Sequence, residues 1–313
     1  MKVYEGRDIR NVALVGHGHS GKTSLAAGLL YAAGATNRLT RVDEGNTITD
    51  FDEEEVQRKV TIATALAFLE WRKIKINLLD TPGFNTFIND TRASLVAADA
   101  ALVMVDGVAG VEVQTEKVWE FAAQDQLAAA IVVNKLDREN SSFERALESI
   151  HANFGRAAVP IQLPIGQERD FRGVVDLIAM QAYTYQADGD GKGVVGEVPA
   201  ELAEAASKAR EALIDMVAEG NDALMEEYFE QGTLSAERLV EGLRDAVRQR
   251  RLFPILCASA LRNMGSDRVL DFIVEFFPSP LDRGSVKGRA GEQEIERRIA
   301  DSEPASAFVF KTV

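Results

Sequence analysis

Gly16-His17-Gly18-His19-Ser20-Gly21-Lys22-Thr23 is the stretch from which the fold is read. Its spacing fits the phosphate-loop pattern G-x-x-x-x-G-K-[ST]. Before it, the apolar run Asn11 to Val15 predicts a buried strand; after it, Lys22 to Ala33 predicts a helix. The glycines let backbone N–H groups converge on phosphate oxygens, and the helix start adds positive partial charge. Lys22 would reach the outer phosphates, the Thr23 hydroxyl would ligate Mg²⁺, and Ser24 follows in the first helical turn.

Outward from this loop, short β-rich runs alternate with amphipathic stretches, which predicts a mostly parallel sheet covered by helices on both faces. Strands are expected at Lys75 to Leu79, Ala101 to Val105, Ala129 to Val133 and Phe253 to Cys257. Helices are expected near Phe87 to Ala97, Gln114 to Ala123 and Asp267 to Phe277. Continuously apolar strands of this kind are buried on both faces. From about Pro160 to Leu252 the chain is longer than one crossover needs. Extended runs at Gly173 to Leu177 and Gln181 to Tyr185, a Gly/Asp loop at Ala187 to Gly193, and helices at Ala200 to Glu219 and Ala236 to Arg248 predict an inserted α+β subdomain packed on the main sheet. Pro278 to Glu303 reads as a connector, and Ser306 to Val313 as a lone terminal strand whose partners belong to a longer natural protein.

Two further strand ends complete a nucleotide site. Asp80-Thr81-Pro82-Gly83 follows an apolar strand, where an aspartate can hold Mg²⁺, usually through water, and Gly83 can offer its N–H to a terminal phosphate. Asn134-Lys135-Leu136-Asp137 follows another. The Asp137 carboxylate can accept from the N1–H and N2–H₂ of guanine, a pair adenine lacks. At roughly 1.5–3 kcal/mol per charge-assisted bond, that discriminates strongly. Asn134 would steady the loop, Lys135 would lie over the base, and Ser259-Ala260-Leu261 would present a backbone N–H to the guanine O6. All four elements in this order predict a GTP/GDP site.

The chain has 313 residues, 46% hydrophobic and 27% charged, as expected of a globular protein with more than one minimal domain. A charged start, MKVYEGRDIR, predicts no signal peptide, and no apolar run reaches 18 residues, so no membrane partner is expected. One cysteine, Cys257, fits a reducing compartment, with the cytoplasm as the default. A net charge of −14 argues against a broad grip on DNA or other nucleic acid, while leaving a small basic patch free to touch RNA. His17 and His19 have no third histidine or cysteine near them in sequence, so they do not read as a metal set. A monomer is expected.

With these elements placed, the sequence resembles translation elongation factor G over essentially its whole length. Asp50-Phe51 and Arg58-Lys59-Val60-Thr61-Ile62 resemble the family's switch I, with Thr61 at its Mg²⁺-binding threonine. Gln162 to Gly166 with Phe171 to Asp176 resembles the start of its inserted G′ subdomain. Cys257 to Leu261 and Phe277 to Leu281 match the end of its G domain, and Phe308 to Val313 the first strand of its domain II barrel. The resemblance implies a G domain over 1–281 with G′ at about 160–252, then a connector and the start of a truncated domain II over 282–313. It also implies a GTPase acting on the ribosome, touching rRNA and, through acidic faces such as Glu226-Glu227, Glu230, Glu237 and Glu241, the stalk protein.

Three positions depart from that pattern. Phe84 stands where the family's D-T-P-G-H has the histidine that orients the attacking water. Positioned proton-transfer groups are worth roughly 10²–10⁴-fold, so hydrolysis is expected to be slowed by up to about that factor. His19 replaces a phosphate-loop aspartate, and Lys59 a glycine in switch I. The expected reading is an elongation factor G-like paralogue in which Lys22, Thr61, Asp80 and Gly83 keep their catalytic roles. Alternatives are a GTP-binding switch with negligible turnover, or a ribosomal protection or release factor.

Overall fold

The computed structural model describes residues 2–300 and 302–312. Its core is a seven-stranded sheet in the order β2 (Ala65–Trp71), β3 (Ile74–Asp80), β1 (Ile9–Gly16), β4 (Ala100–Asp106), β5 (Ala128–Asn134), β11 (Phe253–Cys257) and β6 (Ala158–Pro160). All neighbours are parallel except β2, which pairs antiparallel to β3 through the turn at Arg72 and Lys73. β4 and β5 are buried at every position. Successive side chains of one strand face opposite layers. Val12 and Leu14 meet α1 (Lys22–Ala32) and α9 (Ser266–Phe276), whereas Ala13 and Val15 meet α3 (Ile88–Ala97), α4 (Val113–Gln124) and α5 (Phe143–Phe154). The α/β class read from the alternating runs is the one adopted. A short helix, α2 (Glu53–Arg58), lies in the loop between α1 and β2.

The stretch between β6 and β11 forms a four-stranded antiparallel sheet, β7 (Gln162–Ile165), β8 (Gly173–Asp176), β9 (Gln181–Thr184) and β10 (Val194–Gly196), followed by α6 (Ala203–Ala218), α7 (Asp222–Gln231) and α8 (Ala236–Arg248). Parallel strands need a crossover between them, and this insertion is the crossover joining β6 to β11. Leu213, Val217, Leu243 and Val247 share one apolar cluster with Leu256 and Phe272, so the insertion packs on the main sheet. The helix expected from Ala200 begins as one 3₁₀ turn, Ala200–Leu202, and becomes α-helical at Ala203.

The C-terminal reading needs correction. The segment expected as a connector, Pro278 to Glu303, holds a hairpin, β12 (Ser285–Ala290) paired with β13 (Gln293–Arg298). Its cross-strand partners include Lys287 with Glu296 and Arg289 with Glu294, opposite charges that stabilise a ladder while hiding it from an apolar-period reading. Residues 306–312, expected as a strand, carry no strand pairing, and Val313 lies outside the described residues. An alternating pattern gives a strand only where a partner ladder satisfies its N–H and C=O groups. Lys311 instead donates to the Thr64 carbonyl, and Phe310 packs against the β1/β4 side of the core.

Candidate nucleotide site

The carboxyl ends of β1, β3, β5 and β11 open into a cavity of about 580 Å³, within the roughly 300–1,000 Å³ of small-molecule sites. Its walls bring together Gly18, His19, Gly21 to Ser24, Asp50, Thr61, Gly83, Phe84, Asn134, Lys135, Asp137 and Leu261. These come from segments up to 243 positions apart (261 − 18), so the fold alone unites them.

At the loop end, the Lys22 ammonium is buried and donates to the carbonyls of His17 (2.8 Å) and Gly16 (3.2 Å). Burial drops its pKa to about 8, against the partial support of Asp80. Gly83 lies directly on this loop: a Cβ there would come 2.7 Å from the Gly18 nitrogen and from the His17 oxygen. Gly18 faces the Phe84 ring, which a Cβ would meet at 2.8 Å. His19, in the left-handed region at φ 63°, sets its ring edge-on to Phe84 with centroids 5.1 Å apart. Such backbone in a non-glycine residue costs of order 1–3 kcal/mol and concentrates at functional sites. The His17 ring turns toward the start of α4, its Nδ1 accepting from the Gln114 N–H at 3.4 Å and its Nε2 lying 3.6 Å from Glu112.

Beside Lys22, the Thr61 hydroxyl donates to Asp50 (2.9 Å) and stands 3.0 Å from the Thr23 hydroxyl. A hydroxyl has one hydrogen, so Thr23 donates to Thr61. Asp80 is fully buried, and burial lifts its carboxyl to about 6. The Thr49 hydroxyl lies close enough to hold it down in part, yet neither Asp80 oxygen has a partner with hydrogen-bond geometry among the described residues. Two orphaned carboxylate oxygens near threonine hydroxyls are hard oxygen donors, and that donor set fits a divalent cation such as Mg²⁺. Burial also raises Asp50, offset in part by the Thr61 hydrogen bond.

The far end is built on Asn134. Its Nδ2 donates to the Ser20 carbonyl and its Oδ1 accepts from the Ala260 N–H, both at 2.8 Å, tying the phosphate loop to the loop after β11. The Ser259 N–H is engaged by Met264 (3.1 Å). Of the three N–H groups expected to face a base, the described hydrogen bonds leave only that of Leu261. Lys135, at φ 63°, donates to Asp106 at 2.6 Å. Burial pushes the Asp106 carboxyl up, but Lys135 and the N–H groups of Val108 and Ala109 outweigh it and hold it below the usual range. Asp137 stands on the cavity wall with Arg262 Nε 3.9 Å away.

Asp106 joins the site without a motif of its own, although a lone carboxylate closing the apolar run Ala100 to Val105 is a legible signal. Glu55 contributes indirectly: its buried carboxylate accepts from the N–H groups of Ile62 (2.8 Å) and Ala63 (3.0 Å) and so shapes the segment carrying Thr61. Nothing in the residue pattern marks Glu55 off from its acidic neighbours.

Residues 7–279 match the family model described as the elongation factor Tu GTP-binding domain. A crystal structure of a protein from Thermus thermophilus superposes with a TM-score of 0.82 at 38% identity, covering 88% of this chain and 41% of that one. The chain thus spans about two fifths of that protein's length. With the family model covering 273 of the 313 residues (7 to 279), the sheet and the cavity at its carboxyl edge included, the chain belongs to the elongation factor Tu GTP-binding domain family of translation-factor GTPases.

Proposed function

We propose that the chain is the G domain of an elongation factor G-like GTPase that works on the ribosome and turns over GTP slowly. The assigned extents are a G domain over 1–281, with its inserted subdomain at about 160–252, and the start of a second domain over 282–313. The reading gives the phosphates to residues 16–24, the guanine base to Asn134, Lys135, Asp137 and the 259–261 loop, and a cytoplasmic setting to the whole protein. Thr23, Thr61 and Asp80 would hold Mg²⁺, which when bound neutralises charge on the phosphate oxygens.

In the reaction, water bonds to the γ-phosphorus as the bond to the β–γ bridging oxygen breaks, giving GDP and phosphate. The Lys22 ammonium and the backbone donors of the loop oppose the charge that builds on those oxygens. The Gly83 N–H is near enough to the loop to bind the terminal phosphate and register its loss.

The observation that supports slow turnover is Phe84: its ring rests on Gly18 and His19, and it stands where the resembled pattern has the histidine that orients the attacking water. Carbon can neither donate nor accept. Ribosome contact is carried by family membership. The Arg238 bridge takes up Glu227 (2.9 Å) and Glu241 (2.5 Å), which leaves Glu226 and Glu230 on α7, among the described residues, to meet a basic surface of the stalk. The test is ribosome-stimulated GTP turnover of the full-length protein beside Phe84→His. Acceleration by roughly 10²-fold or more is expected. A parent that already turns over as fast as the variant would discard the assignment of slow turnover to Phe84.

A further inference from the structure

The Gly/Asp loop of the insertion reaches the guanine end of the cavity. Asp188 donates its N–H to the Arg262 carbonyl (2.9 Å), and the Asn263 side-chain Nδ2 donates to the Gly189 carbonyl (3.0 Å), so one main-chain and one side-chain bond clamp the loop onto the segment following β11. On that clamp Asp188 sits in the left-handed region, φ 59°, with its carboxylate between two arginines. Oδ2 lies 3.3 Å from Arg262 Nη1, and Oδ1 accepts from Arg41 Nη2 at 2.9 Å. Arg262 in turn points its Nε at Asp137, 3.9 Å away.

We propose that Asp188 and Arg262 are positioning residues for guanine recognition: the insertion's carboxylate holds the guanidinium, and the guanidinium orients Asp137 toward the base. The inference rests on the reading of Asp137 as the guanine-binding carboxylate. A carboxylate that must accept two hydrogen bonds at once has to lie in the plane of the base, whereas its own torsion is soft. A guanidinium fixed at one side restricts that torsion. Arg41 adds a second consequence. It belongs to the segment that ends at Thr61, so one carboxylate of the insertion touches both the base end and the switch end of the site.

The test uses paired affinities of the full chain for GDP and IDP, read by displacement of a fluorescent guanine nucleotide. Inosine lacks the exocyclic amine and asks Asp137 for one hydrogen bond only, so it tolerates a misaligned carboxylate. Asp188→Asn keeps side-chain shape and suits left-handed backbone, and Arg262→Gln removes the cation. These ion pairs are half exposed, and such pairs are worth roughly 0.2–1 kcal/mol. The GDP-over-IDP ratio is therefore expected to fall about 1.4- to fivefold in each variant, and no further in the double variant, because both act through one linkage. A general loss of stability weakens both nucleotides and leaves the ratio unmoved. A parental ratio retained in either single variant overturns the proposal. A parent that binds ADP as well as GDP would instead remove the guanine reading on which it stands.

Discussion

Burial lifts the Asp80 carboxyl to about 6 and lowers the Lys22 ammonium to about 8, so in the nucleotide-free chain both ionised forms are held at a cost. For Asp80, the folded state holds its proton over pH values at which the unfolded state has lost it. Stability from this group therefore falls as pH rises from about 4 to about 6 and stays low above that. For Lys22 the folded state releases its proton first, so stability rises again as pH climbs from about 8 toward the usual lysine range. On the proposed function, phosphate beside Lys22 and a cation beside Asp80 would relieve both penalties. Asp80→Asn removes the buried charge, and its thermal midpoint without nucleotide is expected to exceed the parent's by several degrees at pH 7. That follows from on the order of 2–3 kcal/mol at roughly 2–4 °C per kcal/mol. The gap should shrink as pH falls from 6 to 4. A constant gap across that range refutes the charge argument, and a gain in Mg²⁺-dependent GTP binding by the same variant refutes the metal role. At the base end, Asp137→Asn presents an amide whose N–H₂ meets the carbonyl that xanthine carries in place of guanine's amine. Nucleotide preference should move from GDP to XDP, and competition assays in which GDP still wins by the parental margin dismiss the assignment. Both residues were legible from strand–loop context. The pKa displacements were not, since they depend on which distant groups seal the cavity.

The element that carries Thr61 is short and held by its ends. Asp52 caps α2, and Glu55 returns a carboxylate oxygen to the Asp52 N–H (3.3 Å) while its other oxygen takes Ile62 and Ala63. At the C-cap, Lys59 stands at φ 56°, a conformation glycine adopts freely, which gives the glycine of the resembled pattern a physical reason. The sequence shows the substitution but not the backbone angle that makes it costly. Sequence also hid the hairpin β12–β13 behind alternating charge, while β4, β5 and the Val12 to Val15 stretch of β1 were legible because burial on both faces makes them continuously apolar up to their carboxyl ends. Glu55→Ala deprives two N–H groups of their acceptor, a loss of about 1–3 kcal/mol when such groups stay buried. Hydrogen exchange at Ile62 and Ala63 is expected to speed up roughly 10- to 100-fold, with GTP affinity weakened more than GDP affinity if Thr61 serves the terminal phosphate as proposed. Unchanged exchange at those two amides means that another contact orders the segment.

At the scale of the whole molecule, the insertion cannot be treated as an appendage. β6 is an edge strand whose main-sheet partner is β11, and the chain reaches β11 only after running through β7 to β10 and α6 to α8. The extra length was plain in the sequence. That it forms the crossover of a parallel pair was not, because the register Phe253 with Ala158 joins residues 95 positions apart (253 − 158). Leu243 of α8 is fully buried in the cluster that also holds Leu78 of β3 and Phe272 of α9. An apolar cluster shared by the insertion and the main sheet predicts one cooperative unfolding transition. Leu243→Ala should therefore lower the same transition that Leu78→Ala lowers, each by about 2–5 kcal/mol. GDP with Mg²⁺ at about 100 times its dissociation constant should raise that one transition by roughly 2.7 kcal/mol in both variants. Calorimetry that resolves two transitions, with Leu243→Ala moving one and GDP the other, would show the insertion unfolding independently. The Asp188 clamp would then tie together two units that melt apart, and its grip on the guanine loop would be lost before the nucleotide is.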